Sequence, residues 1–204
     1  MATYTALHIK NANVDALSAH LTAWLEVTHE SAVVASEGPF PNDFYASTRF
    51  INSEDPPSEF LLAAEPPGWV TAYFNSFAEL QGLASDISGA LKNIVIVVLA
   101  QSVSEAYFVS VHENGARLRA IYWAGDTGEW ITREGTPFPF EQLYSRFERE
   151  ELISFCQALD LSLWSTSNNL SWHSLRARSR PVHQSVVASF RKPWWRFWRS
   201  GPGA

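Results

Sequence analysis

Seven consecutive apolar residues, Ile94 to Ala100, constrain the fold of this chain more than any other stretch. Five of the seven are valine or isoleucine, and side chains branched at Cβ favour extended backbone and fit a pleated surface. Because no polar residue alternates with them, we expect a strand covered on both faces. The run is too short to cross a membrane, which takes about 20 apolar residues. It therefore predicts the central strand of a buried sheet.

Other strands and two amphipathic helices are predicted around this run. Asn13 is expected to cap a helix that ends near Glu26, and Ser76 with Glu79 matches a capping box that would open a second helix. Asn114-Gly115 predicts a tight hairpin, since both turn positions need positive φ. After Pro137 short amphipathic helices are expected. The remaining predicted strands cover residues 4–9, 31–36, 44–51, 60–64, 69–74, 105–112, 116–123 and 129–133.

The two halves of this pattern align at a constant offset of 66 residues. Thr5 then falls on Thr71, Leu17 on Leu83 and Leu21 on Ile87. A duplicated β-α-β-β unit, with copies at 4–64 and 69–133, explains the alignment; the alternative is that any two amphipathic helices after strands can be slid into register. The predicted fold class is α+β: a largely antiparallel sheet with two helices on one face, plus a small helical C-terminal part.

Charge divides the chain into two parts. No acidic residue follows Asp160, whereas seven of the 15 basic residues do, so residues 1–160 carry 21 acidic and eight basic residues, a charge of −13. We therefore predict an acidic α+β domain over 1–160 and a basic Trp/Arg-rich segment over 161–204. The field of an acidic domain attracts basic partners and opposes nucleic acid.

Sequence motifs for catalysis or metal binding are missing. There is no nucleophile elbow, phosphate-binding glycine loop or helical histidine pair of the kind that binds zinc, so no catalytic residue, cofactor or metal is predicted. Cys156 lies on a predicted apolar helix face, where a thiol is inert. A single cysteine and no signal-peptide pattern in residues 1–4 favour the cytoplasm. His112 with Glu113 is expected to be a solvated pair at the hairpin.

Carboxylates near strand ends and loops provide one candidate surface. Glu113, Asp126, Glu129 and Glu134 are predicted to bind a basic partner. The stretch Gly125–Gly128 also contains the Asp-Thr-Gly triplet of aspartic proteases. Those enzymes need two copies of the triplet or a dimer, and this sequence has one, so a turn between two strands is the simpler explanation.

Residues 190–199 provide a second candidate surface, in which Trp194, Trp195 and Trp198 alternate with basic residues such as Arg196. Three interpretations stay open. The segment packs back on the acidic domain, lies in a membrane interface, or binds another macromolecule through tryptophan and arginine anchors.

One resemblance supports the binding interpretation. The run Leu91–Val98, followed by Glu105–Phe108, then Asn114-Gly115 with Leu118 and Tyr122, resembles a layout found among bacterial immunity proteins, small cytoplasmic partners that neutralise a cognate toxin. The resemblance covers about residues 69 to 140. It implies an acidic inhibitor that covers a basic active site, and it transfers no toxin-contacting residue.

The sequence therefore predicts a non-catalytic binding protein, immunity-like in that it neutralises a protein toxin through an acidic surface. Two alternatives remain. One is a peripheral membrane or assembly-associated protein anchored by its Trp/Arg-rich segment, and the other is an enzyme whose site is built from dispersed residues.

Overall fold

The computed structural model describes residues 3–41, 44–45, 51, 53–65, 67–164 and 170–178. These residues form a mixed α+β fold with one nine-stranded antiparallel sheet, three α-helices and a short 3-10 helix over Pro139–Leu143. The helices are α1 (Val14–His29), α2 (Gln81–Leu91) and α3 (Arg149–Gln157). The strands are β1 (Thr3–Lys10), β2 (Val33–Gly38), β3 (Glu59–Glu65), β4 (Trp69–Phe74), β5 (Val95–Gln101), β6 (Ala106–Glu113), β7 (Ala116–Ala124), β8 (Glu129–Gly135) and β9 (Trp172–Ala177).

The apolar run of the sequence becomes β5, inside the sheet. The strand order is β2-β9-β3-β4-β1-β5-β6-β7-β8, so β5 pairs with β1 on one side and β6 on the other. Six of its seven residues are buried. The prediction of a strand covered on both faces is confirmed.

Two hydrophobic clusters lie on the two faces of the sheet. One joins the buried leucines of α1 and the buried Leu83 and Ile87 of α2 to sheet residues such as Val97 and Phe108. The other joins α3 to alternate sheet residues that include Val98. Because successive side chains of a strand point to opposite faces, Val97 and Val98 belong to different clusters. The sheet is therefore the middle layer of the molecule.

The start of α1 was predicted correctly, and its end was not. Asn13 caps α1 as predicted, because its Oδ1 accepts the backbone N–H groups of Asp15 and Ala16 at 2.8 and 3.0 Å. That helix continues to His29, beyond the predicted end near Glu26.

The predicted capping box is wrong. The second helix begins only at Gln81, after Leu80 in the left-handed region, and no side chain caps it. Ser76 instead forms a bridge with Ile51, and the Glu79 carboxylate accepts from Gln81.

The start of the predicted basic segment contains a strand for which no element was predicted. β9 lies between β2 and β3 and pairs antiparallel with both. Trp172 and Leu175 are buried, and they belong to the clusters on opposite faces. Residues 172–177 are therefore part of the sheet that the predicted acidic domain builds.

One further prediction meets the described residues only in part. Of the predicted strand 44–51, Phe44 and Tyr45 form a turn, Ile51 makes an isolated bridge, and 46–50 lie outside the described residues. The Asn114-Gly115 hairpin is confirmed, with φ of 52° and 85° at the two positions. In the part of the chain that the structure describes, no helix is both long and apolar enough to cross a membrane.

Candidate functional site

A small cavity of about 30 Å³ lies on the face of the sheet that α2 covers in part. We call it the Tyr122 cavity. Its floor comes from the end of β5, the start of β6 and the second half of β7, and its rim from two loops, one before β3 and one before α2. The lining residues are Ser53, Glu54, Phe77, Glu79, Leu99, Ala100, Gln101, Ala106, Phe108 and Tyr122.

Backbone hydrogen bonds position the two rim loops. The Phe77 N–H donates to the Ser53 carbonyl at 2.9 Å, and the Ile51 N–H donates to the Asn75 carbonyl at 2.6 Å. These bonds hold Glu54 and Glu79 on the same rim, although 25 positions separate them in the sequence. The irregular segment before α2 thus becomes a wall of the cavity instead of a first helical turn.

Carboxylates act on the hydroxyl of Tyr122. Burial, together with the charges of Glu79, Glu54 and Asp126, raises the pKa of Tyr122 to about 12. Among the described residues, the charged groups that shift this hydroxyl are all acids. A cation placed beside Tyr122 would be attracted by all three.

Glu79 is the most enclosed acid of the rim. Burial raises its pKa, as do Glu54 and Glu134, while the hydrogen bond from Gln81 and the charge of Arg117 lower it. Arg117 offsets part of this negative charge, and its guanidinium also bonds Gln81 and Glu134. Among the described groups that act on Glu79 and Tyr122, three acids, Glu54, Glu134 and Asp126, outnumber this one base.

The four predicted acidic residues do not form one surface. Asp126 and Glu129 lie at the β7–β8 turn, and Glu113 lies at the β6–β7 hairpin. The nine residues of β7 separate these two ends, a distance of roughly 30 Å at about 3.3 Å per residue. Glu134 pairs with Ala120 and lies exposed on the edge strand β8. Only Asp126 and Glu134 act on groups of the Tyr122 cavity.

The other predicted binding residues, Trp194, Trp195, Arg196 and Trp198, lie outside the described residues. Their role stays a prediction.

Comparison with known proteins finds no match: no protein-family model, no curated protein and no solved structure matches this chain. Similarity to known proteins therefore suggests no function for this chain, and a functional proposal has to be argued from the chemistry of its sites.

The prediction of a solvated His112 is wrong. The ring is fully buried, with Nδ1 2.9 Å from the Ser85 hydroxyl and Nε2 3.0 Å from the Ser110 hydroxyl. Burial and the charge of Arg117 lower its pKa to about 4. A serine beside a histidine is the geometry of nucleophilic catalysis, but there the second ring nitrogen is held by a carboxylate. Here it is held by a second serine, and the contacts join α2 to β6.

A second buried histidine belongs to a chain of hydrogen bonds across β1 and β4. Thr71 donates its hydroxyl proton to Glu65 at 2.5 Å, so its oxygen accepts from Nδ1 of His8 at 2.9 Å. Nε2 of His8 is then the acceptor for the Tyr4 hydroxyl at 3.1 Å. Burial lowers the pKa of His8 to about 3, which keeps the ring neutral. Among the described residues, Glu65 Oε1 has no hydrogen-bond partner.

The remaining candidates for chemistry are enclosed. Cys156 is fully buried on α3 as predicted, and burial raises the pKa of its thiol. Over the described ranges, no group of three or more histidine, cysteine, aspartate or glutamate side chains is placed to hold a metal ion. The Tyr122 cavity combines apolar walls with charged groups, and the proposal below is built on it.

Proposed function

We propose that this protein is a non-enzymatic binding protein, immunity-like in that it inhibits a basic protein toxin, and that the Tyr122 cavity lies at the centre of the interface. The observation that carries the proposal is the charge around Tyr122, where Glu54, Glu79 and Asp126 act together. Complementary charge steers a basic partner and fixes its orientation. Aromatic walls supply the apolar contact area typical of interface centres.

The buried histidines favour binding over catalysis. His8 and His112 are held neutral and hydrogen-bonded on both ring nitrogens by neighbouring side chains. A general base has to reach the proton it abstracts, with a pKa near the working pH. Neither ring meets these conditions. The acidic cavity, in contrast, is open to a partner at its rim, where Glu54 is exposed.

The test combines a matched pair of double variants of the full chain. Glu54→Gln with Glu79→Gln removes two charges from the cavity, and Glu26→Gln with Glu150→Gln removes two from exposed helix positions elsewhere. The proposal expects a basic protein of the same host to form a stoichiometric complex with the wild type and the helix variant. Affinity for the cavity variant should fall at least tenfold.

Neutralisation is the second readout. The partner should arrest growth when expressed alone, and co-expression of the wild-type chain should relieve the arrest. Equal binding of the partner by both double variants would refute the role of the cavity, and failure to retain any stoichiometric basic protein would refute the proposed function as a whole.

We also propose that residues 4–64 and 69–133 are copies of one β-α-β-β unit, with both helices on the same face. The first strands of the two copies, β1 and β4, are antiparallel neighbours. Leu17 and Leu21, buried in α1, align at the offset of 66 with Leu83 and Ile87, buried in α2. Superposition of the two units in an experimental structure should give a two-fold rotation, and a different operation would contradict the duplication.

A further inference from the structure

We propose that the Tyr122 cavity binds a primary alkylammonium group, the end of a lysine side chain that the partner protein inserts. This inference rests on the proposed function, because it names the chemical group by which the partner is recognised. It stands on three features of the cavity: its walls, its hydrogen-bond acceptors and its size.

The walls suit the methylene stem of lysine and the positive charge at its end. Phe77, Leu99 and Phe108 line the apolar part. The rings of Phe108 and Tyr122 lie 6.0 Å apart at 83° to each other, so they form two perpendicular sides of the site. Ammonium groups are attracted to the faces of aromatic rings, and lysine commonly buries its stem against apolar surface while its charge meets polar groups.

The acceptors match the number of protons on an ammonium group. Lysine offers three N–H donors and no acceptor. The cavity offers the two oxygens of the Glu54 carboxylate and the Glu79 carboxylate. Gln81 occupies Oε2 of Glu79, and Oε1 of the same carboxylate remains to accept from a ligand.

The size favours lysine over arginine. The cavity measures about 30 Å³, and one water requires about 10 to 15 Å³ on this kind of measure. An ammonium head, close to water in size, fits this space. A guanidinium is a larger planar group that carries five donors in a rigid fork, so a cavity of this size favours the ammonium.

Binding should also depend on pH. Glu79 faces Gln81 and Arg117, which lower its pKa, and Glu54 and Glu134, which raise it together with burial. Because the ionised carboxylate attracts an ammonium more strongly than the neutral acid does, affinity should rise with pH until Glu79 is fully ionised. Ligand binding below that point should release a proton.

The experiment titrates the full-length protein with n-butylammonium and follows the side-chain resonances of Tyr122 and Phe108 by NMR. n-Butylguanidinium and n-butanol are the ligand controls, which test the shape of the head group and its charge. We expect saturable shifts with n-butylammonium, an affinity at least tenfold lower for both controls, and at least tenfold lower for Glu54→Gln with Glu79→Gln. The Glu26→Gln, Glu150→Gln variant should match the wild type.

The outcomes separate this inference from the proposed function. Absent or non-saturable shifts, shifts that persist in the cavity variant, or equal binding of n-butanol would overturn the inference, even if a basic partner is found. Saturable, carboxylate-dependent binding without any protein partner would support the inference and remove the proposed function. Competition between n-butylammonium and the partner would support both.

Discussion

The buried ion pair between Arg119 and Glu141 allows a quantitative test of how the edge of the sheet is held. Both side chains are 1% exposed. Nε of Arg119 lies 2.9 and 3.0 Å from the two carboxylate oxygens, and Nη2 lies 2.6 Å from Oε2. Nη1 also donates to the Glu134 carbonyl at 2.7 Å, and Glu141 Oε1 accepts the Phe138 N–H at 2.9 Å. The pair thus joins β7, β8 and the 3-10 helix.

The expected cost depends on whether one or both partners are removed. Glu141→Leu leaves a buried guanidinium without its counter-charge, and Arg119→Met leaves a buried carboxylate, so each should lower the free energy of unfolding by about 3–5 kcal/mol. The double variant Arg119→Met with Glu141→Leu leaves no charge, only the orphaned groups of Glu134 and Phe138. At about 1–3 kcal/mol per orphaned group, it should cost roughly 2–6 kcal/mol, less than the sum of the singles.

Urea unfolding of the full chain, followed by tryptophan emission, measures all four members of the cycle. Arg117→Gln is the control. Arg117 lies on the same strand as Arg119 and pairs with Glu134, but it is 37% exposed, so its loss should lower the free energy of unfolding by about 1 kcal/mol or less. A double variant that loses as much as the two singles together would refute the coupling. Singles as mild as the Arg117 control would refute the role of burial.

Three further perturbations test other parts of the fold. The pKa of His8 is lowered to about 3, so the neutral ring's contribution to stability is present above pH 6.5 and is lost as the pH falls towards 3. The free energy of unfolding should fall by up to about 1.4 kcal/mol per pH unit in that range. His8→Asn should remove this part of the pH dependence. Cys156 is buried with a raised pKa, so a thiol reagent should not modify the native protein within minutes but should label one equivalent in denaturant; rapid native labelling would contradict the burial. Gly128→Ala should destabilise the protein by ~1 kcal/mol, and Gly135→Ala by several times that amount. Both glycines have positive φ, but a Cβ at Gly135 would lie 2.1 Å from the Leu118 carbonyl oxygen, whereas one at Gly128 meets nothing within 4 Å. Equal melting temperatures of the two variants would refute this.

Local sequence patterns were sufficient to predict most strands and helix α1. The bounds predicted for β4 agree with the structure, and β5 lies one residue from its predicted place. These elements are predictable because period, β-branching and capping act within a few residues. A hairpin whose two turn residues both tolerate positive φ is predictable for the same reason.

The errors arise where tertiary contacts outweigh local preference. Ser76 matched a cap, yet its backbone bridges to Ile51, and Phe77 becomes a wall of the cavity. β9 reads Trp-His-Ser-Leu-Arg-Ala, with neither regular alternation nor β-branched residues. It becomes a strand because β2 and β3 offer it partners on both sides.

The candidate site was not predictable as a unit. Glu54, Glu79 and Tyr122 come from a loop, a helix-preceding segment and a strand, and no sequence spacing brings them together. Of the predicted acids, Asp126 acts on Tyr122, and the surplus of acidic residues before Leu161 was the only sequence signal for a site of this kind.

The insertion of β9 between β2 and β3 has a consequence for protein synthesis. Val33 pairs with Ala177, so β2 leaves the ribosome long before its partner has been made. Until then, β2 has no partner strand among the described residues and β3 presents an open edge, which is the kind of surface that drives aggregation. Nascent chains that stall before Trp172 should therefore depend on chaperones, and completion of the sheet is a late, long-range closing step in folding.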